Sequence, residues 1–191
     1  MIKIDNWEKV QASATFTKLP AGGYVARITK VELVKEKNYL RIVYDIAEGP
    51  EKGRYSDDWG KAHEFAHSFI RSLRQDKETI KGMFKRFMLT VDATNGTNYT
   101  PLIDPKNGGF DEQQLVGKLI GIVLGEEEYN TDRGETKTRL YLAEVMTADD
   151  IRKGAYIVPD IRKAPERASE GLTAAPEVAF NNPINEDDLP F

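Results

Sequence analysis

The chain has 191 residues, of which 40% are hydrophobic and 30% are charged, with a formal net charge of −4 and no cysteine. This length suits one domain of ordinary size plus a tail, and the lack of cysteine excludes disulfides and thiolate metal sites. The sequence contains no apolar run near the roughly 20 residues that span a bilayer, and its N-terminal segment lacks a secretory h-region. These features favour a cytoplasmic protein.

The negative charge is concentrated at the C-terminal end. Residues 164–191 contain six acidic side chains and one basic side chain, so this end carries −5 and the rest of the chain carries +1. Because the body is almost neutral, any cationic surface on it must be local. The segment 160–191 is rich in Pro, Ala, Glu, Ser and Asn without an apolar period, which predicts a disordered linker and an acidic tip.

The first periodic segment predicts a β-hairpin. In YVARITKVELV, residues 24–34, apolar side chains occupy positions 24, 26 and 28 and then positions 31 and 33. A change of phase of this kind indicates a β-bulge or a strong bend. The segment NYLRIVYDI alternates with period two and predicts the second strand, with residues 35–38 as the turn.

Helical spacing follows this hairpin. Apolar residues from Trp59 to Leu73 fall on one side of a helix, and those from Ile80 to Val91 predict a second amphipathic helix. After a loop, VGKLIGIVLGEEEYN and TKTRLYLAEVM predict a second hairpin. A short helix is expected from Thr147 to Arg152, and AYIVP is a candidate last strand.

This order of elements favours a mainly β fold with inserted helices. We expect an OB-fold-like small β-barrel over residues 1–159, with a helical insertion at about 59–93, and a disordered C-terminal tail over residues 160–191. An open α/β sheet is the second choice, because the sequence has no regular alternation of strands and helices.

The segment HEFAH, residues 63–67, matches the pattern H-E-x-x-H, in which two histidines one helical turn apart bind zinc beside a glutamate. Catalytic zinc needs a third protein ligand, and the chain contains only these two histidines. A glutamate on a following helix is the other common ligand, but Glu78 is too close for that arrangement and the next glutamate is Glu112. The longer metzincin pattern needs Gly and His where the chain has Ile70 and Leu73. The sequence therefore disfavours a zinc peptidase and predicts no catalytic residue, metal or cofactor.

The sequence ends in INEDDLPF, residues 184–191, which joins three acidic residues to an apolar end. Proline stiffens this end and lowers the entropy lost on docking. A terminal phenylalanine can enter an apolar pocket while its carboxylate and the preceding acids contact a basic rim. The residues predicted to bind partner proteins are Asp187, Asp188, Leu189, Pro190 and Phe191.

These tip residues resemble the acidic tip of bacterial-type single-stranded DNA-binding proteins, with Glu186 where a further Asp is often seen. The resemblance implies an OB-fold body, a disordered linker, and a tip that recruits replication, recombination and repair proteins. The predicted helical insertion departs from the usual bacterial body and looks more like the divergent single-strand binders encoded by bacteriophages. The resemblance is specific at the tip and loose elsewhere.

Each predicted hairpin carries a tyrosine and an arginine on the same outward strand face. Tyrosine rings can stack on bases, and arginines can meet phosphates or stack as cations. Lysines and an arginine near the hairpin ends can follow the DNA backbone. The residues predicted to contact DNA are Tyr39, Arg41, Arg139, Tyr141, Lys37, Lys137 and Arg133.

The sequence therefore predicts a non-enzymatic protein that binds single-stranded DNA regardless of base sequence and recruits other proteins through its tip. Its location would be the bacterial cytoplasm, that of the host if it is phage-encoded. One alternative is an adaptor whose barrel binds protein rather than nucleic acid, and a gel shift with single-stranded and duplex DNA separates the two. The other alternative is the zinc peptidase, which metal analysis of the purified protein tests.

Overall fold

The structure is a computed structural model of the chain, and it describes residue 3 and residues 18–164. The predicted tip residues 187–191 and the part of the predicted linker after residue 164 lie outside the described residues. The strands are β1 (Gly22–Val34), β2 (Tyr39–Ile46), β3 (Ser68–Ser72), β4 (Leu119–Asn130) and β5 (Thr136–Met146). The α-helices of the described part are α1 (Asp58–Ala62), α2 (Glu78–Asn95) and α3 (Ala148–Arg152).

The five strands form one antiparallel sheet in the order β3-β2-β1-β4-β5. Both predicted hairpins are present as β1–β2 and β4–β5, and the prediction of a mainly β fold with inserted helices is confirmed. The sheet is not closed, because the two outermost strands, β3 and β5, are not paired with each other in the described part of the chain. The expected barrel is therefore an open, five-stranded sheet.

The phase change in β1 is a bulge, as the sequence predicts. Ile28 pairs with Tyr44 of β2, and the next pair joins Lys30 to Val43, so one residue is extra on the β1 side. The bulge returns Val31 to the side of the sheet that carries Ile28, and both side chains are buried in the main core. This side is called the inner face below, and the opposite side is called the outer face.

The predicted helix over Trp59–Leu73 is wrong. Helix α1 ends at Ala62, a 3-10 turn covers Glu64–His67, and the chain then extends as β3 along the edge of β2. Phe69 of β3 enters the core with 8% exposure, so its burial is satisfied by sheet packing rather than by a helical stripe. Pairing with β2 also provides partners for backbone groups of the segment, which the apolar spacing alone does not reveal.

Helix α2 crosses the inner face as its apolar spacing predicts. Phe87, Met88 and Val91 are buried in the main core. Gly96 ends the helix in the left-handed conformation, at a φ of 62°, which glycine adopts without steric cost. Met83, which the same spacing assigns to the apolar stripe, is exposed at the surface.

A second, smaller apolar cluster lies on the outer face, where α3 packs on the middle of the sheet. It contains Val25, Val123, Ala148 and Ile151. Helix α3 begins after Thr147, whose hydroxyl accepts a hydrogen bond from the backbone N–H of Asp150, and it ends before Gly154 as the sequence predicts. Within the described residues, no helix has both the length and the apolar composition needed to cross a membrane.

The residues after α3, 155–164, form a strap across the outer face and not the strand predicted for AYIVP. The Tyr156 ring lies over Gly23, where an added Cβ would come within 2.5 Å of the ring. Pro159 lies over Gly125 in the same way, at 2.8 Å. At its end, Arg162 pairs with β4, donating its N–H to the Glu126 carbonyl oxygen at 3.0 Å.

Candidate nucleic-acid interface

The seven residues predicted to contact DNA form two separate groups. Tyr39 and Arg41 lie on the outer face of β2, and Arg139 and Tyr141 lie on the outer face of β5, with β1 and β4 between the two strands. Lys37 belongs to the β1–β2 turn, whereas Lys137 and Arg133 lie on β5 and in the β4–β5 turn. Both tyrosine–arginine pairs thus lie on the outer face, as predicted, but the pair on β2 and the pair on β5 are not adjacent.

The β5 group is largely engaged by other parts of the chain. The guanidinium carbon of Arg162, in the strap, lies 3.8 Å from the centre of the Tyr141 ring. Arg139 donates to Glu127 at 2.6 Å, and Lys137 forms an ion pair with Glu135 at 3.1 Å. One face of the Tyr141 ring is therefore covered, and a base can stack on it only after the strap moves.

The β2 group is extended by β3. Tyr39 pairs with Ser72, and Arg41 pairs with Ile70, so these side chains share one outer surface. Ile70 is 47% exposed although it is large and apolar. Strand β3 comes from the segment that the sequence predicts as helix, so sequence reasoning did not assign Ile70 to this surface.

Arg41 belongs to a network of four charged side chains on this surface. It lies 3.2 Å from Glu32 and 3.8 Å from Glu64, and Lys30 contacts the same two carboxylates at 2.7 and 2.9 Å. Hydrogen bonds to Glu32 and Glu64 raise the pKa of Lys30, and the Lys30 ammonium lowers the pKa of Glu32. Two cations and two anions cancel, so the surface is locally neutral and its arginine is held in one position.

An exposed aromatic cluster borders this network, and it consists of Trp59, His63 and Phe65. The Trp59 and His63 rings are stacked with centroids 4.6 Å apart, and the Phe65 ring lies 5.9 Å from the His63 ring. Phe65 is 72% exposed and Trp59 is 41% exposed. Because Glu64 contacts Arg41 and Lys30, the cluster lies beside the β2–β3 surface.

Sequence reasoning assigned Trp59 to an apolar helical stripe and His63 to a metal motif, and so it missed this cluster. The signal that could have found it is the set of three aromatic residues within seven positions, among Asp58, Lys61 and Glu64. Aromatic residues interleaved with charges in this way are unusual for a buried stripe, because charged residues are almost never fully buried unless paired.

The two histidines of HEFAH have different surroundings. His67 is 4% exposed, and its two ring nitrogens lie 2.5 Å from the Tyr44 carbonyl oxygen and 3.0 Å from the Gly60 carbonyl oxygen. Nδ1 of His63 lies 2.8 Å from the Trp59 carbonyl oxygen. The described residues contain no group of three or more His, Cys, Asp or Glu side chains suited to a metal ion. Both ring nitrogens of His67 therefore contact backbone carbonyl oxygens of the protein.

Comparison with known proteins provides no family for this chain. No protein-family model matches it, and no curated protein matches it either. The candidate site therefore depends on its own geometry. It consists of the β2–β3 outer surface with Tyr39, Arg41 and Ile70, together with the adjoining aromatic cluster.

Proposed function

We propose that this protein binds single-stranded DNA without regard to base sequence, through the outer surface of β2 and β3 and the aromatic cluster beside it. The observation that carries the proposal is the exposure of several apolar and aromatic side chains next to a fixed arginine. Bases stack on aromatic side chains with about 1–3 kcal/mol each, and the interaction tolerates every base. A surface of this kind suits a protein that covers DNA of any sequence.

The strand order supports the finer assignment of an OB-fold that is open between β3 and β5. An OB-fold is a five-stranded, partly open barrel, and a five-stranded open sheet with α2 between β3 and β4 in the chain is compatible with it. In OB-folds, oligonucleotides bind the face of strands 2 and 3 and the loops that join strands 1 to 2 and 4 to 5. The β2–β3 surface and the turn containing Lys37 have these positions.

The proposal keeps Tyr39, Arg41 and Lys37 as DNA contacts and adds Phe65 and Ile70. Contacts of the β5 group would follow only if the strap were displaced from Tyr141. The tip residues 187–191 would recruit replication, recombination and repair proteins in the cytoplasm, as the resemblance of the tip implies. The charge network is locally neutral, so stacking, and not phosphate neutralisation, is expected to supply most of the affinity on this surface.

Binding of fluorescent oligo-dT, followed by anisotropy at several salt concentrations, tests the proposal. We expect binding to single strands to exceed binding to a duplex of the same length, with a modest fall in affinity as salt rises. Phe65→Ala is expected to weaken binding, whereas Tyr129→Ala, which removes a surface aromatic ring on β4 outside the β2–β3 surface, is expected to leave it unchanged.

A protein that ignores oligo-dT and duplex DNA alike would exclude the proposal. The exposed Phe65 and Ile70 would then favour the adaptor, since exposed apolar patches also mark protein-binding sites. Equal affinity for single strands and duplex would contradict the role of base stacking, because paired bases are not available to the aromatic cluster.

A further inference from the structure

A cavity of about 390 Å³ opens between the end of β3 and helix α2. Its floor is apolar, and its rim is basic. The floor is formed by Leu73, Phe84, Met88 and Ile103. The basic side chains on the rim are Arg74, Lys81 and Lys85. A cavity that combines apolar walls with a few charged groups at its mouth is typical of a binding site.

The three cations of the rim differ in how strongly they are paired. Arg74 donates to Asp76 at 2.8 Å, and Lys81 forms an ion pair with Glu78 one turn earlier on α2. Within residues 18–164, no acidic side chain lies within ion-pair distance of Lys85. Lys81 and Lys85 are four residues apart on α2, so they lie on the same face of the helix, one turn from each other.

The cavity lies on the inner face and adjoins the proposed DNA surface, which is on the outer face, at the end of β3. Ser72, which lines the cavity, is the β-sheet partner of Tyr39. Leu73 in the floor donates its backbone N–H to the carbonyl oxygen of Asn38 in the β1–β2 turn, at 2.7 Å. The turn also carries Lys35 and Lys37, so further basic side chains belong to the segment that contacts Leu73.

We propose that this cavity is a subsite for single-stranded DNA, which takes one base against its apolar floor while Lys81, Lys85 and Arg74 contact the flanking phosphates. A strand leaving the Tyr39 end of the β2–β3 surface reaches the cavity by passing around the end of β3, from the outer face of the sheet to the inner face. The subsite adds one net positive charge, because its three cations face two acidic partners, Asp76 and Glu78, whereas the Arg41 network has no net charge. This inference rests on the proposed function, because it extends the same interface.

Salt dependence tests the phosphate contacts in the full-length chain. Each lost phosphate contact lowers the slope of log affinity against log salt concentration by about 0.7 for single strands. The double variant Lys81→Gln/Lys85→Gln is therefore expected to lower the oligo-dT slope by about 1.4. The matched control Lys52→Gln/Lys153→Gln removes two exposed lysines beyond the other end of β2 and in the turn after α3, and it is expected to leave the slope unchanged.

An unchanged slope in Lys81→Gln/Lys85→Gln, with wild-type binding intact, overturns the subsite and leaves the proposed function standing. Absence of oligo-dT binding by the wild type overturns both. Circular dichroism of the double variant checks that α2 is retained, and glutamine is a good helix former at both positions.

Cross-linking tests the base contact. Oligo-dT carrying 5-iodouracil is irradiated with the wild-type chain, and the attached peptides are identified by mass spectrometry. We expect cross-links to residues 73–75 or 81–88 in addition to residues of the β2–β3 surface. Cross-links confined to the β2–β3 surface overturn the base contact. Cavity cross-links that are absent from the full chain overturn the proposal for the full chain, even where they form after deletion of residues 184–191.

Discussion

The side chain of His67 contacts the main chain of Tyr44, because Nδ1 of His67 lies 2.5 Å from the Tyr44 carbonyl oxygen. Its other ring nitrogen lies 3.0 Å from the carbonyl oxygen of Gly60, and its ring stacks on Tyr55 with centroids 4.3 Å apart. One buried side chain thus joins α1 and the 3-10 turn to β2. The link anchors the 3-10 turn Glu64–His67, which also carries Phe65.

The first prediction concerns this link. We expect His67→Ala to lower the free energy of unfolding by about 1–3 kcal/mol, because the Tyr44 carbonyl loses its contact with the His67 ring, whereas the Gly60 carbonyl keeps a hydrogen bond from the His63 N–H. Urea denaturation measures the loss. His63→Ala is the control, because its ring is at the surface and surface substitutions usually change stability by less than about 0.5 kcal/mol. Equal effects of the two variants would contradict the structural role assigned to His67.

The second prediction concerns Tyr39 on the β2–β3 surface. Tyr39→Ala removes a stacking ring and is expected to weaken oligo-dT binding by about 1–3 kcal/mol, which is roughly 5- to 150-fold. Tyr39→Phe keeps the ring and should bind within about twofold of the wild type, since stacking does not need the hydroxyl. If Tyr39→Phe were as weak as Tyr39→Ala, the hydroxyl rather than the ring would make the contact.

The third prediction concerns the strap. Tyr141→Ala removes the ring beneath Arg162, and a cation–π contact at an exposed site contributes about 0.5–1 kcal/mol. We expect trypsin to cleave after Arg162 roughly 2- to 5-fold faster, because the strap opens more often. Tyr129→Ala leaves the strap contact intact and should not change this rate. An unchanged rate in Tyr141→Ala would mean that the ring does not hold the strap.

The fourth prediction is a pH dependence that arises from Asp92. Burial raises the pKa of this carboxyl, but hydrogen bonds from Thr100, Tyr99 and Thr97 outweigh burial, and the net pKa is lowered. The oxygens accept bonds of 2.6–2.8 Å from these three residues. A lowered pKa stabilises the fold at neutral pH, and this contribution disappears as pH falls through the folded-state value.

We therefore expect Asp92→Asn to be less stable than the wild type at neutral pH, because the amide nitrogen cannot accept the hydrogen bonds of one carboxylate oxygen. The difference should shrink when the pH falls below the ordinary range of an aspartate carboxyl. Urea midpoints at neutral and acidic pH measure it. A difference that stays constant across this range would exclude Asp92 as the titrating group.

The fifth prediction concerns the acidic tip. Deletion of residues 184–191 removes three acidic side chains and is expected to leave DNA affinity unchanged or to increase it, because these acids compete with DNA for basic groups. Deletion of residues 176–183 shortens the chain by the same length and keeps the tip. It should leave DNA affinity as in the wild type. Loss of DNA binding in the variant without the tip would contradict this division of roles.

Local patterns determined several elements of this protein. The alternation in β2, the phase change at Ile28, and the apolar spacing of α2 each predict what the structure contains. These features depend on side chains that are close in sequence and have a fixed period, so they can be recognised without a partner. The turn signals around Gly154 and Asn38 are local in the same way.

Only the tertiary structure decided the course of residues 59–73 and the layout of the candidate site. The apolar spacing there fits a helix, but pairing with β2 and the two carbonyl contacts of His67 favour a strand after a short turn. That pairing brings Ile70 beside Arg41, and the strap covers Tyr141. Such contacts join residues far apart in the chain, and their energies depend on the packed arrangement, so no local period reveals them.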